Sequence, residues 1–444
     1  MPRLRYKHWV DAFAADIRSG QLVAGTQLPT HRRLAADKGM SLATASRVYA
    51  ELEAMGLVSG EAGRGTFVRE IGLPAGQGVE QPVSQDLIDL SFNYPALPSQ
   101  TEALRLALRQ LTTAGELAAL LRYQPHGGRP HERAQIAQYL NKKGLNVAAE
   151  QVLIVSGAQH GLATVIMALF KPGDVIAVDA LTYSGFKLLA QTFHLELVAI
   201  PATPDGPDLA ALAQLCSQRR IRAVYCMPTL HNPLGWVLTL EQRLALIKLA
   251  RQHNVVLIED AAYAFLIEDA PAPLAALAPD ITLYVSGFSK SVATGLRVGC
   301  VAAPMAYIAA LERVIRATIW NTPAMMTGIV CDWLADGTVA VFEAEKRADA
   351  EARQAMAQAI FAEQGFVSHP QSYFIWLPLP EGVRADQVAM ALMHLGIAVS
   401  TAEPFATTTH VPRAIRLALG SVAMGQLQET LEKVRDLIEV HSYG

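Results

Sequence analysis

Seven short apolar runs, each separated from the next by a segment long enough to include a helix, dominate the chain from about residue 150 onward. They span residues 152–155, 175–178, 195–200, 223–227, 255–259, 283–286 and 300–303. Such runs are typical of buried strands in a mostly parallel sheet with helices on both faces. The pattern therefore predicts a seven-stranded, doubly wound α/β domain, in which ligands bind beyond the carboxyl ends of the strands.

The residues that follow these runs have side chains suited to one kind of ligand. They are the turn from Ser156 to His160, Thr182-Tyr183, His231-Asn232-Pro233, Asp260 with Tyr263, and Ser289-Lys290 with Arg297. A small-residue turn that opens a helix offers N–H donors to a phosphate, and a tyrosine face stacks on a flat ring. The lysine, carboxylate and guanidinium complete the requirements of pyridoxal 5′-phosphate (PLP), namely a Schiff base, a partner for the ring nitrogen and phosphate donors.

Each of these features also has an ordinary structural interpretation. Asp260 alone could cap a helix, Lys290 could be a solvated surface lysine, and Asn232-Pro233 could be a simple turn. Small-residue turns also bind phosphate in nucleotide-binding proteins, although this one lacks the G-x-G-x-x-G motif. The occurrence of all the features at strand ends, in one order, favours the PLP site.

The first 70 residues differ from the rest in charge and pattern. They contain ten Lys and Arg against seven Asp and Glu, hence +3, in a chain whose net charge is −3, which leaves −6 on the rest. Apolar residues recur at helical spacing from Tyr6 to Ile17, and a second short helix is predicted over 32–37. Ser41 then caps a third helix, and 57–59 pairs with 66–68 as a hairpin. This order predicts a winged helix-turn-helix, which inserts its second helix into the DNA major groove.

The polar residues of this head are suited to double-stranded DNA. We expect phosphate contacts from Arg32 and Arg33, and contacts with base edges or phosphates from Ser41, Thr44 and Arg47. Arg64, at the hairpin tip, is expected to reach the DNA backbone or minor groove. The pattern alone also allows a small helical domain that binds another protein. Residues 71–89 lack apolar periodicity, and we expect a linker there, between a head over 1–70 and a body over 90–444.

Both parts resemble known families. The head is similar to the DNA-binding domain of the GntR family of bacterial regulators, on the segment GTQLPTHRRLAADKGMSLATASRVYAELEAMGLV and the GRGTFV wing. The body resembles the class I aminotransferases of PLP fold type I, on YQPHGGRPHER, SGAQHG, HNPLG, IEDAAY and SGFSKSVATGLRVG. The second resemblance implies a large part over about 110–335 and a smaller C-terminal α+β subdomain over about 336–444.

This resemblance also implies catalytic roles and ring contacts for the matching residues. Lys290 would form the Schiff base, Asp260 would pair with the ring nitrogen, and Tyr183 would stack on the ring. The ring hydroxyl oxygen would be bound by Asn232 and Tyr263.

The same resemblance assigns the phosphate and the carboxylate of a substrate or effector. The phosphate would be held by Ala158, Gln159, Ser289 and Arg297, and by Tyr123 from the partner subunit of a homodimer. Arg416 would bind the carboxylate. Where the family has Ser or Thr three residues before the lysine, this chain has Gly287, and we expect that this hydrogen bond to the phosphate is either missing or supplied by Ser286.

The combination of the two parts resembles the MocR subfamily of bacterial transcriptional regulators. Our first hypothesis is a cytoplasmic DNA-binding regulator that senses PLP, or an amino compound, through aldimine formation at Lys290. The second is an active aminotransferase with an accessory head, because the set of Lys290, Asp260 and Arg416 is complete. The third is a binding protein in which PLP is only a structural filler. No metal is expected, because the four cysteines have neither metal-ligand nor disulfide spacing.

Overall fold

The head is a three-helix unit followed by a β-hairpin. The computed structural model describes residues 3–19, 21–22, 26–55, 57–61, 65–68, 87–113, 117–408 and 411–443. The head contains α1 (Arg3–Arg18), α2 (His31–Asp37), α3 (Leu42–Ala54), β1 (Val58–Glu61) and β2 (Gly65–Val68).

Local sequence explains where the head helices begin. The Ser41 hydroxyl accepts a hydrogen bond from the Thr44 backbone N–H at 3.2 Å, so it caps α3 as the sequence predicts. Gly39 precedes it with φ +61°, a conformation that favours glycine. Val10, Leu34 and Val48 are buried together between the helices. The predicted winged helix-turn-helix is confirmed, while Arg64 and residues 69–86 lie outside the described residues.

The described part of the body contains a large sheet, a smaller sheet, a two-stranded β7-β8 sheet and the helices around them. Its helices are α4 (Pro98–Thr113), α5 (Leu117–Leu120), α6 (Pro130–Lys142), α7 (Ala158–Leu169), α8 (Ser184–Thr192), α9 (Leu209–Gln218), α10 (Leu240–Gln252), α11 (Leu274–Leu277), α12 (Phe288–Ser291), α13 (Met305–Thr318), α14 (Ala324–Ala335), α15 (Thr338–Ile360), α16 (Ala385–His394) and α17 (Met424–Tyr443). Its strands are β3 (Ile88–Leu90), β4 (Val152–Val155), β5 (Val175–Asp179), β6 (Glu196–Ile200), β7 (Ala202–Thr203), β8 (Gly206–Pro207), β9 (Ile221–Cys226), β10 (Val256–Asp260), β11 (Thr282–Gly287), β12 (Gly299–Ala302), β13 (Phe374–Pro378), β14 (Ile397–Thr401) and β15 (Ala414–Ala418).

The large sheet has seven strands in the order β4-β12-β11-β10-β9-β5-β6. All neighbouring pairs are parallel except those of β12, which runs antiparallel to both β11 and β4. Alternate residues of each strand pack on opposite faces. Val285 packs with residues of α7, whereas Tyr284 packs with residues of α14 on the other face. The predicted mostly parallel, seven-stranded sheet is therefore confirmed, with every apolar run forming one strand.

The smaller sheet corrects the expected boundaries of the linker and the small subdomain. Its order is β13-β15-β14-β3, and β3 pairs in parallel with β14, Ile88 opposite Ile397. The small subdomain therefore contains residues from the start of the body as well as from its C-terminal part, and the linker ends before residue 88. The polar Asp89 hid this strand, because a three-residue strand leaves no periodic pattern to recognise.

Two further observations concern the whole described chain. The head contacts the small subdomain where the Arg384 guanidinium, just before α16, lies 2.9 Å from the Asp11 carboxylate of α1. No single helix among the described residues is long and apolar enough to cross a membrane. The pair α14 and α15, bent by 81°, meets the length and composition criterion only when the two are taken together.

Candidate functional site

The turn between β4 and α7 forms a cradle for an anion. Gly157 adopts φ +81°, a conformation that favours glycine, and a Cβ there would lie 2.6 Å from Nη2 of Arg297, so a larger residue would displace the guanidinium. Arg297 donates hydrogen bonds to the Ser289 hydroxyl and to the Ser156 carbonyl, both at 3.2 Å. The backbone N–H groups of Ala158 and Gln159 lie in the first turn of α7, where they have no partner within the helix. A guanidinium, a hydroxyl and a helix N-terminus together suit a phosphate.

Ser286 is not part of this cradle, contrary to one of our two expectations. Successive residues of β11 face opposite sides of the sheet, and Gly287 is the one that adjoins Ala158, since a Cβ on this glycine would lie 3.1 Å from the Ala158 nitrogen. Ser286 lies on the Tyr284 side, and together they line a cavity of about 520 Å³ with Ser291. A serine one residue away from the family position faces the opposite side of a strand, which favours the alternative that this hydrogen bond to the phosphate is missing.

Asp260 ends β10 in a fully enclosed position. Its Oδ2 accepts a hydrogen bond from the Tyr225 hydroxyl at 2.8 Å, and its Oδ1 accepts one from the Ala262 N–H at 3.0 Å. Burial raises the pKa of this carboxyl to about 6, although both hydrogen bonds oppose the shift. Because burial penalises its charge, the carboxylate would be stabilised by a cation beside it. An aromatic ring nitrogen that carries a proton is such a cation.

Tyr225 is a functional residue that sequence reasoning missed. It lies in the middle of the apolar run of β9, and its ring stacks on Phe186 with centroids 3.8 Å apart and an interplanar angle of 8°. A buried tyrosine hydroxyl needs a polar partner, so this residue signalled a polar group on a neighbouring strand. The pairing of β9 with β10 brings that group, Asp260, within reach.

Lys290 lies in α12, directly after β11, and its side chain is half-buried. Its Nζ donates a hydrogen bond to the Asn93 carbonyl and lies 6.0 Å from the centre of the Tyr263 ring. Burial, followed by the positive charges of Arg416 and Arg297, lowers the pKa of the amine to about 8. A larger fraction of the amine is therefore unprotonated near neutral pH, as a nucleophile requires.

Asn93 is a second residue missed in the sequence. Its side-chain N–H donates to the Tyr263 hydroxyl at 3.1 Å. The residue is only 4% exposed, and its Oδ1 finds no partner among the described residues. The Asn93 amide thus offers a free acceptor beside Lys290. Its only sequence signal was a polar residue inside the otherwise unremarkable SFNYP segment.

Arg416 reaches the same place from the small subdomain. It lies on β15, donates to the Ser91 carbonyl and approaches Oδ1 of Asn232 at 3.4 Å. The residue is 6% exposed, and within the described part of the chain its Nε has no acceptor. Asn232 is held by a cis peptide bond to Pro233, and the ring of the preceding His231 lies 3.2 Å from the Asp179 carboxylate. Strand β15 and the β9–α10 loop thereby bring a guanidinium and an amide together.

The two predicted tyrosines differ in position. Tyr183 immediately precedes α8 and is half-buried, and its pKa is raised by burial and by the nearby negative charge of Asp260. Tyr123 is 84% exposed, and its ring contacts Trp320 with centroids 5.3 Å apart. The chain's own fold therefore brings Tyr183, but not Tyr123, to the group around Lys290.

The predicted DNA-binding residues lie on the surface of α2 and α3. Arg32, Arg33, Ser41 and Arg47 are exposed, whereas Thr44 is half-buried and bonded to the Ser41 hydroxyl at 2.8 Å. The Arg47 guanidinium lies 4.6 Å from the centre of the Tyr6 ring and 3.9 Å from the Glu51 carboxylate. Its charge is therefore partly balanced within the head.

The side chains of the body cleft fit the chemistry of PLP. The cradle suits a dianionic phosphate, Asp260 suits a protonated ring nitrogen, and Lys290 suits an aldehyde carbon. Buried polar atoms without partners in the described ranges, namely Oδ1 of Asn93, Oε1 of Gln159 and Nε of Arg416, leave hydrogen-bonding capacity for a ligand.

Comparisons with known proteins agree with both parts of the chain. The family described as aminotransferase class I and II matches residues 85–434, and that described as bacterial regulatory proteins, gntR family, matches residues 5–68. The HTH-type transcriptional regulator YdeF of Bacillus subtilis is 26% identical over 98% of this chain and 94% of its own length. The probable rhizopine catabolism regulatory protein MocR of Rhizobium meliloti is 27% identical over 75% of this chain and 72% of its own.

A solved structure shows a similar fold for the body. The α-aminoadipate aminotransferase LysN of Thermus thermophilus, complexed with N-(5′-phosphopyridoxyl)-L-leucine, superposes with a TM-score of 0.74. The two chains are 23% identical, and the match covers 81% of this chain and 94% of that one. The body therefore has the aminotransferase fold.

Proposed function

Because the chain belongs to the class I and II aminotransferase family and joins such a body to a GntR-type head, we propose that it is a DNA-binding transcriptional regulator whose body binds PLP. One observation carries the proposal. A winged helix-turn-helix and a complete lysine, carboxylate and phosphate-cradle set occur in one chain, and a relative that matches 98% of it is named a transcriptional regulator.

In this proposal each side of the cleft holds one part of PLP. Arg297, Ser289 and the first N–H groups of α7 hold the phosphate, while Asp260 pairs with the ring nitrogen. Asn232 and Tyr263 bind the ring hydroxyl oxygen, and Tyr183 stacks on the ring. Bound PLP supplies an aldehyde and a ring that withdraws electrons. Lys290 would provide the unprotonated amine that such an aldehyde requires.

The proposed effector is PLP itself or an amino compound that carries a carboxylate. The Arg416 guanidinium is planar and bidentate, so it is suited to a carboxylate placed between β15 and Asn232. The proposed active form is a cytoplasmic homodimer in which the exposed Tyr123 of one subunit reaches the phosphate bound by its partner. A ligand regulates DNA binding only if its affinity differs between two arrangements of the protein.

A second candidate function is catalytic transamination. It is favoured by the complete set of Lys290, Asp260 and Arg416, together with the likeness of the body to an aminotransferase structure. Sustained turnover of an amino donor with a keto-acid acceptor would support this candidate over a purely regulatory role.

The visible absorption spectrum of the purified full-length protein tests the proposed function. We expect PLP to produce a visible absorption band that borohydride reduction removes, leaving the cofactor covalently attached to Lys290. We also expect one class of amine to shift the band of the unreduced protein and to change DNA affinity at the same concentrations. Mass spectrometry of the reduced protein locates the modified lysine. A protein that binds operator DNA but acquires no such band would contradict a PLP-dependent regulator.

For the head, we expect Arg47→Ala to weaken operator binding by about 1–3 kcal/mol if the guanidinium contacts DNA. The variant also loses the stacking on Tyr6, so thermal unfolding must be measured alongside DNA affinity. Arg109→Ala, on the exposed face of α4 in the body, is the matched control and should bind DNA normally. Parental affinity should fall steeply with salt, because phosphate contacts release counterions, and a flat salt profile would contradict DNA as the partner.

A further inference from the structure

Lys346, in the middle of α15, is a lysine with no exposed surface. The residue is 0% exposed, an arrangement that is costly unless the ammonium group is paired or bonded. Burial, followed by the positive charge of Lys290, lowers its pKa to about 7, while Asp349 acts in the opposite direction. The function proposed above does not use this residue.

The Lys346 amine is bonded to the segment that carries Lys290. Its Nζ donates to the backbone carbonyls of Lys290 and Val292, each at 2.8 Å. These carbonyls lie at the end of α12, a helix of one turn whose last C=O groups have no partner within the helix. Lysine at a helix C-terminus satisfies such carbonyls and complements the helix dipole. Lys346 therefore holds the backbone of Lys290, whereas the Lys290 amine is bonded to the Asn93 carbonyl.

A second donor holds the same carbonyl from another helix. The Gln100 side chain of α4 also donates to the Val292 carbonyl. Other groups surround the rest of Lys346. The Tyr373 hydroxyl donates to the Lys346 backbone carbonyl at 2.9 Å and to the Asp349 carboxylate. The Glu343 carboxylate accepts from Tyr139 and Lys143. The nearby carboxylates of α15 thus have partners of their own, and the Lys346 amine is directed at α12.

The same helix is bonded to the small subdomain about two turns further on. Arg353 donates to the carbonyls of Leu419 and Val422 at 2.5 and 2.6 Å, just after the strand that carries Arg416. Gln354 donates to the carbonyls of Ser372 and Phe374, at the start of β13. Helix α15 is therefore bonded at one point to the Lys290 segment and at another to the subdomain that carries Arg416.

We propose that Lys346 is a positioning residue, which holds Lys290 at the distance and angle required for bonding to the aldehyde carbon and ties that lysine to α15. This inference rests on the proposed function, since it assigns a support to the lysine of the PLP site. Lys346 does not contact PLP in this scheme. It acts only through the backbone of Lys290 and Val292.

The test compares two ligands on the full-length protein. PLP can form a covalent bond with Lys290. Pyridoxamine 5′-phosphate has an amine in place of the aldehyde, so it can bind only noncovalently. In Lys346→Met we expect bond formation with PLP, followed by visible absorbance, to slow by about tenfold or more, since a displacement of about 1 Å costs up to 10²-fold. Affinity for pyridoxamine 5′-phosphate, measured by calorimetry, should change by less than about threefold, under 1 kcal/mol. The control is Lys143→Met, which removes the lysine bonded to Glu343 and leaves the bonds to α12 intact. This variant should form the bond with PLP at the parental rate.

The remaining outcomes separate this inference from the proposed function. Equal rates in Lys346→Met and the parent would overturn the positioning role, and so would a similar loss of affinity for both ligands. A parent that binds pyridoxamine 5′-phosphate but forms no bond with PLP would instead contradict the proposed function. If Lys346→Met does not fold, Lys346→Gln takes its place, because its shorter and uncharged side chain offers fewer N–H donors to the two carbonyls. It must slow bond formation while binding pyridoxamine 5′-phosphate normally, and an unchanged rate would overturn the proposal.

Discussion

Lys290→Ala is expected to remove the visible band of the PLP-treated protein completely, because no other amine lies beside the Asn93 carbonyl and the Tyr263 ring among the described residues. The phosphate cradle and Asp260 remain, so reversible binding of pyridoxamine 5′-phosphate should persist within about threefold. In the parent, a ligand that acts allosterically typically shifts affinity at the second site by about 5- to 150-fold. In the variant, the effect of PLP on operator affinity should disappear.

The experiment distinguishes two roles of PLP from unfolding of the variant. Lys142→Ala, an exposed lysine at the end of α6, is the control and should retain the band and the DNA response. A DNA response that survives Lys290→Ala, with the band gone, would show that PLP acts as a structural filler. Loss of both DNA binding and pyridoxamine 5′-phosphate binding would point to unfolding, which circular dichroism and thermal unfolding detect independently.

Asp260→Asn should weaken PLP binding by about 30-fold or more, since loss of one partner of a buried charge pair costs about 2–5 kcal/mol. The substitution keeps the size of the side chain and an oxygen that can accept from the Tyr225 hydroxyl at the position of Oδ2. The effect should therefore arise from the lost charge rather than from a cavity. Equilibrium titration of parent and variant with PLP measures it.

The same variant should change the pH dependence of binding. In the parent the Asp260 pKa is raised to about 6, so below pH 6 the empty site holds a neutral acid that must lose its proton to pair with the ring. Affinity should therefore fall as the pH decreases through 6, by up to about tenfold per pH unit for one proton. Asp260→Asn should lose this component, while the titration of the phosphate group of PLP stays common to both proteins. Parallel pH profiles would contradict the assignment of Asp260 to the ring nitrogen.

The sequence predicted the parts of the fold that repeat a local pattern. Each of the seven apolar runs became a strand of the large sheet, and Ser41 capped α3, because burial of short strands and helix capping are local properties. Polar residues at strand ends could likewise be placed near one another, because parallel strands present their carboxyl ends at one edge. Lys290, Asp260 and Arg297 were predicted as site residues in this way.

The residues that sequence reasoning missed depend on contacts between distant segments. Tyr225 was hidden inside an apolar run, and Asn93 lies 170 positions before the Tyr263 hydroxyl that it contacts. Lys346 resembles any lysine of a charged helix until α15 packs against α12. The expectation for Ser286 came from a match near a family position. That match ignored the alternation of side chains along a strand, which turns the Ser286 side chain to the other face of the sheet.

The parallel pairing of β3 with β14 has a mechanical consequence. Residue 88 is the first described residue of the body to be held in a sheet, and that sheet also contains the strand of Arg416. Residue 88 is thus held on the Arg416 side of the cleft rather than in the large sheet that leads into Lys290. Because residue 88 and Arg416 belong to the same sheet, a ligand that draws Arg416 toward Lys290 would move residue 88 with it. Movement of the small subdomain toward Lys290 would then displace, through chain connectivity, the point at which the chain from the DNA-binding head enters the body.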